Sequence, residues 1–168
     1  IEYYEDVKDS LKKLSNFAEQ IFVVTNQPDL YSGKLSLESL VRIHKQIYKE
    51  LPISEIFYCP HVKEDGCACR KPKTGLMQKI KEHYSINLEK IPAIGDSTRD
   101  LEAYSKSEAQ PILVRTGNGK DVEKKKSFPI NTLIFDVAPT LTGGVDEWWE
   151  VIKPYVGLVL SDFKVYIK

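Results

Sequence analysis

The sequence has no excess of either charge and no long apolar run. Its 24 Lys and Arg residues match its 24 Asp and Glu residues, so the formal net charge is zero. Proteins with a broad nucleic-acid footprint are strongly basic, and this balance therefore argues against a nucleic-acid partner. The longest apolar run, around residues 155–160, is far shorter than the roughly 20 residues that a membrane-spanning helix needs. We therefore expect neither nucleic acid nor a membrane as a partner.

Cysteine and methionine are scarce as well. The chain has three cysteines and one methionine, and all three cysteines lie between Cys59 and Cys69. Such clustering favours a metal site over disulfide bonds, and it therefore indicates a reducing compartment, the cytoplasm. The first ten residues are acidic and contain neither an apolar segment nor a methionine. They predict no signal peptide and indicate a fragment or a processed product.

The length and composition are those of one α/β domain with a substantial core. The chain has 168 residues, of which 42% are hydrophobic and 29% charged. Helix and strand patterns alternate along it. Strands are predicted at 21–24, 53–58, 91–94, 111–114 and 132–135, and helices at 5–19, 36–51, after Thr74, and at 100–106. This alternation predicts a three-layer, Rossmann-like parallel sheet, with ligands bound at the carboxyl ends of the strands.

Two further segments give weaker signals. Residues 117–128 are polar and contain a lysine run, so they are predicted to be a solvated loop. The final segment contains a Gly-Gly turn, a short helix with Trp148 and Trp149, and an apolar strand, and none of its residues is predicted to do chemistry. The predicted organisation is a domain at 1–136, followed by an extension at 137–168 that packs on the same domain.

The cysteine loop carries the strongest chemical signal. Its pattern is Cys59-x-His61, five residues, and then Cys67-x-Cys69. Three thiolates and one imidazole form a known tetrahedral zinc set, and four protein ligands leave no position for an activated water. The pattern therefore predicts structural zinc that fixes the loop. The alternative is a chance group of free thiols.

Residues at four other places are candidate phosphate or metal ligands. Arg70 and Lys71 follow the cysteine loop and can bind phosphate, or they can belong to a solvated basic turn. Thr25, Asn26 and Gln27 follow a strand and can hydrogen-bond phosphate without adding charge, or they can form a plain turn. Asp96 follows another strand, where it can hold Mg²⁺, or it or Ser97 can cap the next helix. Gly117-Asn118-Gly119 can approach a phosphate, although such a sequence is more often a simple turn.

Taken in order, four motifs closely resemble one family. They are VVTNQ, then CPH(x5)CxCRKPKTGL, then AIGDSTRDLEA and finally PILVRTGNGK. This order resembles the D-glycero-D-manno-heptose 1,7-bisphosphate 7-phosphatases of the haloacid dehalogenase superfamily, over residues 7–136. Histidinol-phosphate phosphatases share the zinc loop and are the alternative within the same class.

The resemblance implies a mechanism and a set of residue roles. In this superfamily an Asp carboxylate attacks phosphorus to form an aspartyl-phosphate, and a second Asp two residues later acts as acid and base. The resemblance implies that Thr25 binds the phosphoryl group with support from Asn26, and that Gln27 belongs to the same phosphate-binding segment. It implies that Lys71 stabilises the phospho-Asp and that Arg70 contacts substrate. The implied metal residues are Asp96 for Mg²⁺, supported by Asp100, and Cys59, His61, Cys67 and Cys69 for Zn²⁺.

The sequence departs from this family in two places. No Asp-x-Asp motif occurs anywhere in the chain, and the family's nucleophile should precede Val7 by some thirty residues. Asp136 faintly echoes the motif, but Ala138 stands where the second Asp should be. Asp136 is therefore interpreted as the end of the last family strand, and the alternative is a permuted nucleophile. Tyr31 and Ser32 precede Gly33, where the family usually has a small residue and Arg. That difference affects substrate contacts from this loop.

The resemblance thus implies a monomeric, cytoplasmic phosphatase that acts on a small sugar phosphate. It would use Mg²⁺ and Zn²⁺ and would serve carbohydrate metabolism, in lipopolysaccharide biosynthesis. The rival from another class is a non-catalytic, zinc-stabilised phosphate-binding module, which the missing Asp-x-Asp favours.

Overall fold

A computed structural model describes residue 3 and residues 7–89, 91–135 and 157–161. Five helices occur among these residues, and a short 3₁₀ helix, Lys63–Asp65, lies in the cysteine loop. The helices are α1 (Val7–Leu14), α2 (Leu37–Glu50), α3 (Gly75–Tyr84), α4 (Thr98–Lys106) and α5 (Gly119–Lys125). None of the helices in this described part is long and apolar enough to cross a membrane.

Six described strands form one sheet in which every pairing is parallel. They are β1 (Gln20–Asn26), β2 (Glu55–Cys59), β3 (Pro92–Gly95), β4 (Gln110–Val114), β5 (Leu133–Phe135) and β6 (Gly157–Ser161). Their order across the sheet is β2-β1-β6-β3-β4-β5. The last strand in sequence therefore lies between β1 and β3, near the middle of the sheet.

The core has a layer on each face of the sheet because β1 is apolar along both of its faces. Ile21 and Val23 belong to one buried cluster with residues of α1 and α2. Phe22 and Val24 belong to a second cluster with residues of α3 and α4. Alternate side chains of a strand point to opposite faces, and a continuous apolar run therefore indicates a strand covered on both sides. The predicted three-layer α/β fold with a parallel sheet is confirmed.

Two predicted helix starts differ in how they are capped. The Ser36 side chain accepts a hydrogen bond from the Ser39 N–H at 3.1 Å, as a serine cap should. Thr74 does precede α3, but its side chain makes no capping hydrogen bond and its backbone is already helical. The start of α3 was therefore predicted correctly, whereas the predicted capping hydrogen bond from Thr74 was wrong.

The prediction of a solvated loop at 117–128 was wrong, because the segment contains α5. Val122 on this helix is only 8% exposed and packs in a cluster with Leu101 and Leu113. Gly119 allows the close approach, since a Cβ there would lie 1.8 Å from the Val114 carbonyl oxygen. The segment was predicted as a loop because its lysine run is polar, and one buried valine and one glycine do not form a recognisable apolar helix pattern.

Most other predicted boundaries shift by one to three residues. The largest difference is at the first helix, which ends at Leu14, five residues before the predicted end at residue 19. β1 extends through Thr25 to Asn26. The apolar strand near the end of the chain is present as β6, whereas the Gly-Gly turn and the helix with the two tryptophans lie outside the described residues.

Candidate active site

Thr25 lies at the carboxyl end of β1, where its side chain is almost buried. It is 6% exposed, and its Oγ1 accepts a hydrogen bond from Gln27 Nε2 at 3.0 Å. The Gln27 N–H in turn donates to the Cys59 carbonyl at 2.7 Å, which ties the end of β1 to the start of the cysteine loop. A hydroxyl that accepts this bond still has its own hydrogen to donate, as binding a phosphate oxygen would require.

Lys71 and Asp100 form a buried ion pair beside this strand end. Lys71 Nζ lies 2.8 Å from Asp100 Oδ1, and the side chains are 2% and 1% exposed. The same ammonium donates to the Val24 carbonyl at 2.8 Å. Buried charges need such pairing because leaving water is costly for them. The geometry therefore fixes one positive charge at the carboxyl end of β1.

Asn26 holds the backbone of Lys71 in place. Its Oδ1 accepts from the Lys71 N–H at 3.1 Å, and its Nδ2 donates to the Lys71 carbonyl at 3.3 Å. Both ends of the Asn26 amide are thus used within the protein. This arrangement fits the predicted supporting role of Asn26 better than direct phosphate contact.

The carboxyl end of β3 carries Asp96, and the structure resolves which residue caps α4. Ser97 is the cap, since its Oγ accepts from the Asp100 N–H at 3.4 Å and donates to Asp100 Oδ2 at 2.5 Å. Asp96 instead accepts from the Asn118 N–H at 2.8 Å and from Asn118 Nδ2 at 3.2 Å. The turn at Asn118 therefore orients this carboxylate. Sequence reasoning weighed that turn only as a phosphate contact.

The four predicted loop ligands come together in space. Among the described residues they are the one group of three or more His, Cys, Asp or Glu that could hold a metal ion, and their donor atoms all lie within 4.8 Å of one another. Cys69 Sγ lies 3.1 Å from Cys59 Sγ and 3.5 Å from Cys67 Sγ, and His61 Nδ1 lies 3.3 Å from Cys69 Sγ. These spacings fit the edges of a small tetrahedron around a single ion.

The thiols of this group differ in acidity. Burial, together with hydrogen bonds to the neighbouring thiols, raises the pKa of Cys59 to about 12. Burial acts in the same direction on Cys67, but hydrogen bonds led by the Arg70 backbone N–H bring its pKa down to about 7. Cys67 is therefore a thiolate for much of the time at neutral pH even before a metal binds.

Two basic side chains that are not among the four donors hydrogen-bond to the backbone of the cysteine loop. Arg70 Nη1 donates to the His61 carbonyl at 2.9 Å. Lys73 Nζ donates to the Cys67 carbonyl at 2.7 Å and also to the Gly66 carbonyl. The loop that bears the donors is therefore linked to the segment that places Lys71 beside Asp100.

A cavity of about 210 Å³ opens beside Thr25 and Gln27. Its wall includes Lys34 from the loop after β1 and His44 from α2. Burial lowers the pKa of His44, so the imidazole is neutral at physiological pH, and its ring contacts Tyr58 edge-on with centroids 5.6 Å apart. Sequence reasoning missed Lys34 and His44 as site residues, because neither belongs to a recognisable motif.

Comparison with known proteins agrees with this geometry. A family model described as polynucleotide kinase 3 phosphatase matches residues 2–128. D-glycero-beta-D-manno-heptose-1,7-bisphosphate 7-phosphatase from Pseudomonas putida is 40% identical over 133 residues, which are 76% of this chain and 75% of the relative. The protein of the same name from Pseudomonas aeruginosa is 40% identical over 134 residues, which are 76% of this chain and 74% of that relative.

A solved structure is similar as well. It is the D,D-heptose 1,7-bisphosphate phosphatase from B. bronchiseptica, complexed with magnesium and phosphate, with a TM-score of 0.79 and 30% identity. The match covers 86% of this chain and 84% of that one. The match to the family model and the identity to the curated relatives both extend over most of the chain. The chain therefore belongs to the D-glycero-β-D-manno-heptose-1,7-bisphosphate 7-phosphatase family and is a phosphatase by descent.

Proposed function

We propose that this protein is a magnesium-dependent phosphomonoesterase that removes the 7-phosphate of a heptose 1,7-bisphosphate through an aspartyl-phosphate. The observation that carries the proposal is the buried Lys71–Asp100 pair beside Thr25, at a sheet edge that also bears Asp96. A fixed cation and a hydroxyl donor are what a phosphoryl group with developing charge requires. The names of the curated relatives supply the substrate class.

In the proposed reaction each side chain has one role. Thr25 donates its hydroxyl hydrogen to a phosphoryl oxygen, and Gln27 orients that hydroxyl. Lys71 neutralises charge on the transferring group, while Asp100 and Asn26 keep the lysine in position. Arg70, already hydrogen-bonded to His61, contacts the substrate with its remaining guanidinium N–H groups.

We assign the two metals to different residues. Asp96 is the Mg²⁺ ligand, in keeping with the oxygen ligands that this ion prefers. When bound, magnesium offsets the negative charge shared by an attacking carboxylate and the phosphate. Cys59, His61, Cys67 and Cys69 hold structural Zn²⁺, because three thiolates and an imidazole form a known closed zinc set. Reduced thiols at this loop accord with a cytoplasmic protein.

The cavity beside Thr25 accommodates the rest of the substrate. A heptose bisphosphate carries a second phosphate at the far end of the sugar from the reacting one. Lys34 is an exposed cation on the cavity wall, and it is suited to bind that second phosphate. A substrate with a single phosphate would not use this contact, which distinguishes the bisphosphate from histidinol phosphate.

The test is phosphate release by the purified chain, with magnesium added or omitted. Omission is better than EDTA, because a chelator would also remove metal from the thiol loop. We expect magnesium-dependent release from heptose 1,7-bisphosphate, with the phosphate lost from C7 and a lower kcat/KM on histidinol phosphate. The reverse preference would favour histidinol-phosphate phosphatase. Phosphate binding with no turnover on either compound would favour the non-catalytic module.

A further inference from the structure

Asn118 and Asp96 connect the ends of two neighbouring strands. Gly95, the last residue of β3, pairs with Leu113 on β4, so the loops after these strands leave the sheet at nearly the same level. Between these loops, Asp96 Oδ2 accepts hydrogen bonds from the Asn118 N–H at 2.8 Å and from Asn118 Nδ2 at 3.2 Å. One residue thus holds one carboxylate oxygen with both its backbone and its side chain. A rotation of the carboxylate would weaken both bonds, because hydrogen bonds depend on direction as well as distance.

The turn that carries Asn118 has a fixed backbone shape. The Gly119 N–H donates to the Thr116 carbonyl at 3.0 Å and closes the turn. Gly117 has a φ of 59°, in the left-handed region that glycine adopts without strain. Gly119 lies so close to the Val114 carbonyl oxygen that a side chain would not fit there. These contacts together determine where the Asn118 N–H points.

An ion pair joins the two sides of this turn. Arg115 lies at the end of β4, and Glu123 lies on α5, which follows the turn. Arg115 Nε lies 2.6 Å from Glu123 Oε2, and Arg115 Nη2 lies 2.6 Å from Glu123 Oε1. Such a two-point contact between a guanidinium and a carboxylate fixes the direction of both groups as well as their distance. The pair therefore connects β4 to α5 and keeps the turn between them in place.

Within the proposed function, we infer that Asn118 is a positioning residue for magnesium, which holds the Asp96 carboxylate in the orientation that the ion requires. The inference rests on the proposed function, in which Asp96 is the Mg²⁺ ligand. Mg²⁺ demands near-ideal octahedral geometry, and a carboxylate that is already oriented loses less freedom when the ion binds. Loss of a hydrogen-bond partner of a metal ligand typically lowers metal affinity by roughly 10- to 100-fold. Asn118 itself does not coordinate the ion in this assignment.

This role differs from the phosphate contact that the sequence Gly117-Asn118-Gly119 suggested. A phosphate contact would use the Asn118 N–H or its side-chain amide, and both groups donate to Asp96. The two roles predict different results when the amide is removed. A positioning role predicts weaker metal binding, whereas a phosphate contact predicts weaker binding of phosphate in the absence of metal.

The experiment is a titration of the zinc-loaded chain with Mn²⁺, in which electron paramagnetic resonance measures the free ion. Mn²⁺ prefers the same oxygen ligands as Mg²⁺, and the bound zinc occupies the thiol loop. Asn118→Ala removes the amide but keeps the backbone N–H, and it should raise the Kd for Mn²⁺ about tenfold. Because Asn118 is exposed, the urea midpoint should stay at the wild-type value. Asn131→Ala is the matched control, since it removes an exposed amide that precedes β5, and it should keep the wild-type Kd.

A double variant tests whether Asn118 acts through Asp96. Asp96→Asn alone should raise the Kd for Mn²⁺ at least about tenfold, because the charge of the ligand is lost. Asp96→Asn/Asn118→Ala should raise it little further, because the carboxylate that Asn118 orients is already absent. A general loosening of the turn would instead add its own increase. In phosphate release, Asn118→Ala should need about tenfold more magnesium for the half-maximal rate, and saturating magnesium should restore the rate.

The outcomes separate this inference from the proposed function. Wild-type Mn²⁺ affinity in Asn118→Ala together with weak binding in Asp96→Asn would overturn the inference and leave the ligand assignment in place. Additive effects in the double variant, or weaker binding of inorganic phosphate by metal-free Asn118→Ala, would also overturn it. Wild-type affinity in Asp96→Asn would overturn the magnesium assignment in the proposed function, and the inference with it.

Discussion

Lys71 Nζ and Asp100 Oδ1 lie 2.8 Å apart in a site from which solvent is almost excluded. The two residues come from different segments, one directly after the cysteine loop and the other in the first turn of α4. Their contact thus joins the loop that holds the proposed zinc to the strand end that holds the proposed magnesium ligand. The sequence alone does not indicate that Lys71 and Asp100 meet, because their contact depends on how β1 and β3 are arranged in the sheet.

Breaking the Lys71–Asp100 pair should destabilise the fold. We expect Asp100→Asn to lower the free energy of unfolding by about 3–5 kcal/mol, because it removes the negative charge from a buried ion pair. The double variant Lys71→Met/Asp100→Asn should lose less than the sum of its two single changes. Urea unfolding followed by circular dichroism measures all three values.

The control for this prediction lies on the same helix. Glu102 and Lys106 form an exposed pair at 3.0 Å, and Glu102→Gln should change stability by less than about 1 kcal/mol. If Asp100→Asn were as mild as Glu102→Gln, the Lys71 charge would not depend on its buried partner.

Asp96→Asn should weaken magnesium binding without disturbing the fold. Asparagine has nearly the same shape and keeps an oxygen to accept the Asn118 hydrogen bonds, but it lacks the charge that a hard cation prefers. We expect the magnesium concentration for half-maximal rate to rise at least about tenfold, a loss of about 1.4 kcal/mol in affinity. Asp121→Asn makes the same charge change at an exposed position of α5 and should leave the magnesium titration unaltered.

Removing the loop metal should lower thermal stability. A ligand present at 100 times its Kd adds about 2.7 kcal/mol, and each kcal/mol shifts the Tm of a domain of this size by about 2–4 °C. We therefore expect a chelator to lower the Tm by roughly 5–10 °C. Cys67→Ser should give the same Tm with or without chelator, and elemental analysis should find its zinc lost. Lys63→Ala, an exposed change in the same loop, should retain both the zinc and the Tm.

The thiols should react with iodoacetamide at different pH values in the metal-free protein. Cys67 has a pKa lowered to about 7, so it is half thiolate at pH 7, and its rate should fall about tenfold for each pH unit below that. Cys59 has a pKa raised to about 12 by burial and should remain unmodified from pH 6 to 8. Peptide mass spectrometry would record both rates. Bound zinc should abolish the Cys67 reaction, and equal rates at the two thiols would contradict the prediction.

Lys34→Gln should affect one substrate class and not the other. Because Lys34 lines the cavity beside Thr25, its loss should raise KM for heptose 1,7-bisphosphate about tenfold, while KM for p-nitrophenyl phosphate stays unchanged. Lys45→Gln on α2 is the matched control, since Lys45 is exposed and is not among the residues lining this cavity. An equal rise in KM for both substrates would show that Lys34 does not act on a second phosphate.

Local patterns were sufficient to predict much of this fold. The continuous apolar run Ile21 to Val24 indicated a strand covered on both faces, and Ser36 marked the start of α2. The four loop donors could also be found from spacing, because a metal-binding loop of eleven residues is a local structure. These features depend on residues that are close together in the sequence, and they can therefore be recognised from one sequence alone.

The parts that the sequence did not reveal depend on distant neighbours. α5 was not predicted because its burial depends on one residue, Val122, which packs against Leu113. β6 was predicted as a strand, but the sequence did not indicate which strands it pairs with.

The central place of β6 also affects how the protein can fold as it is synthesised. When residues near 135 have left the ribosome, β1 can pair with β2, and β4 can pair with β3 on one side and β5 on the other. These are two separate half-sheets, and each exposes the backbone groups of an unpaired inner edge. They can join only when β6 emerges, since it bridges β1 and β3. Nascent chains that stop before β6 should therefore recruit chaperones or aggregate through those two edges.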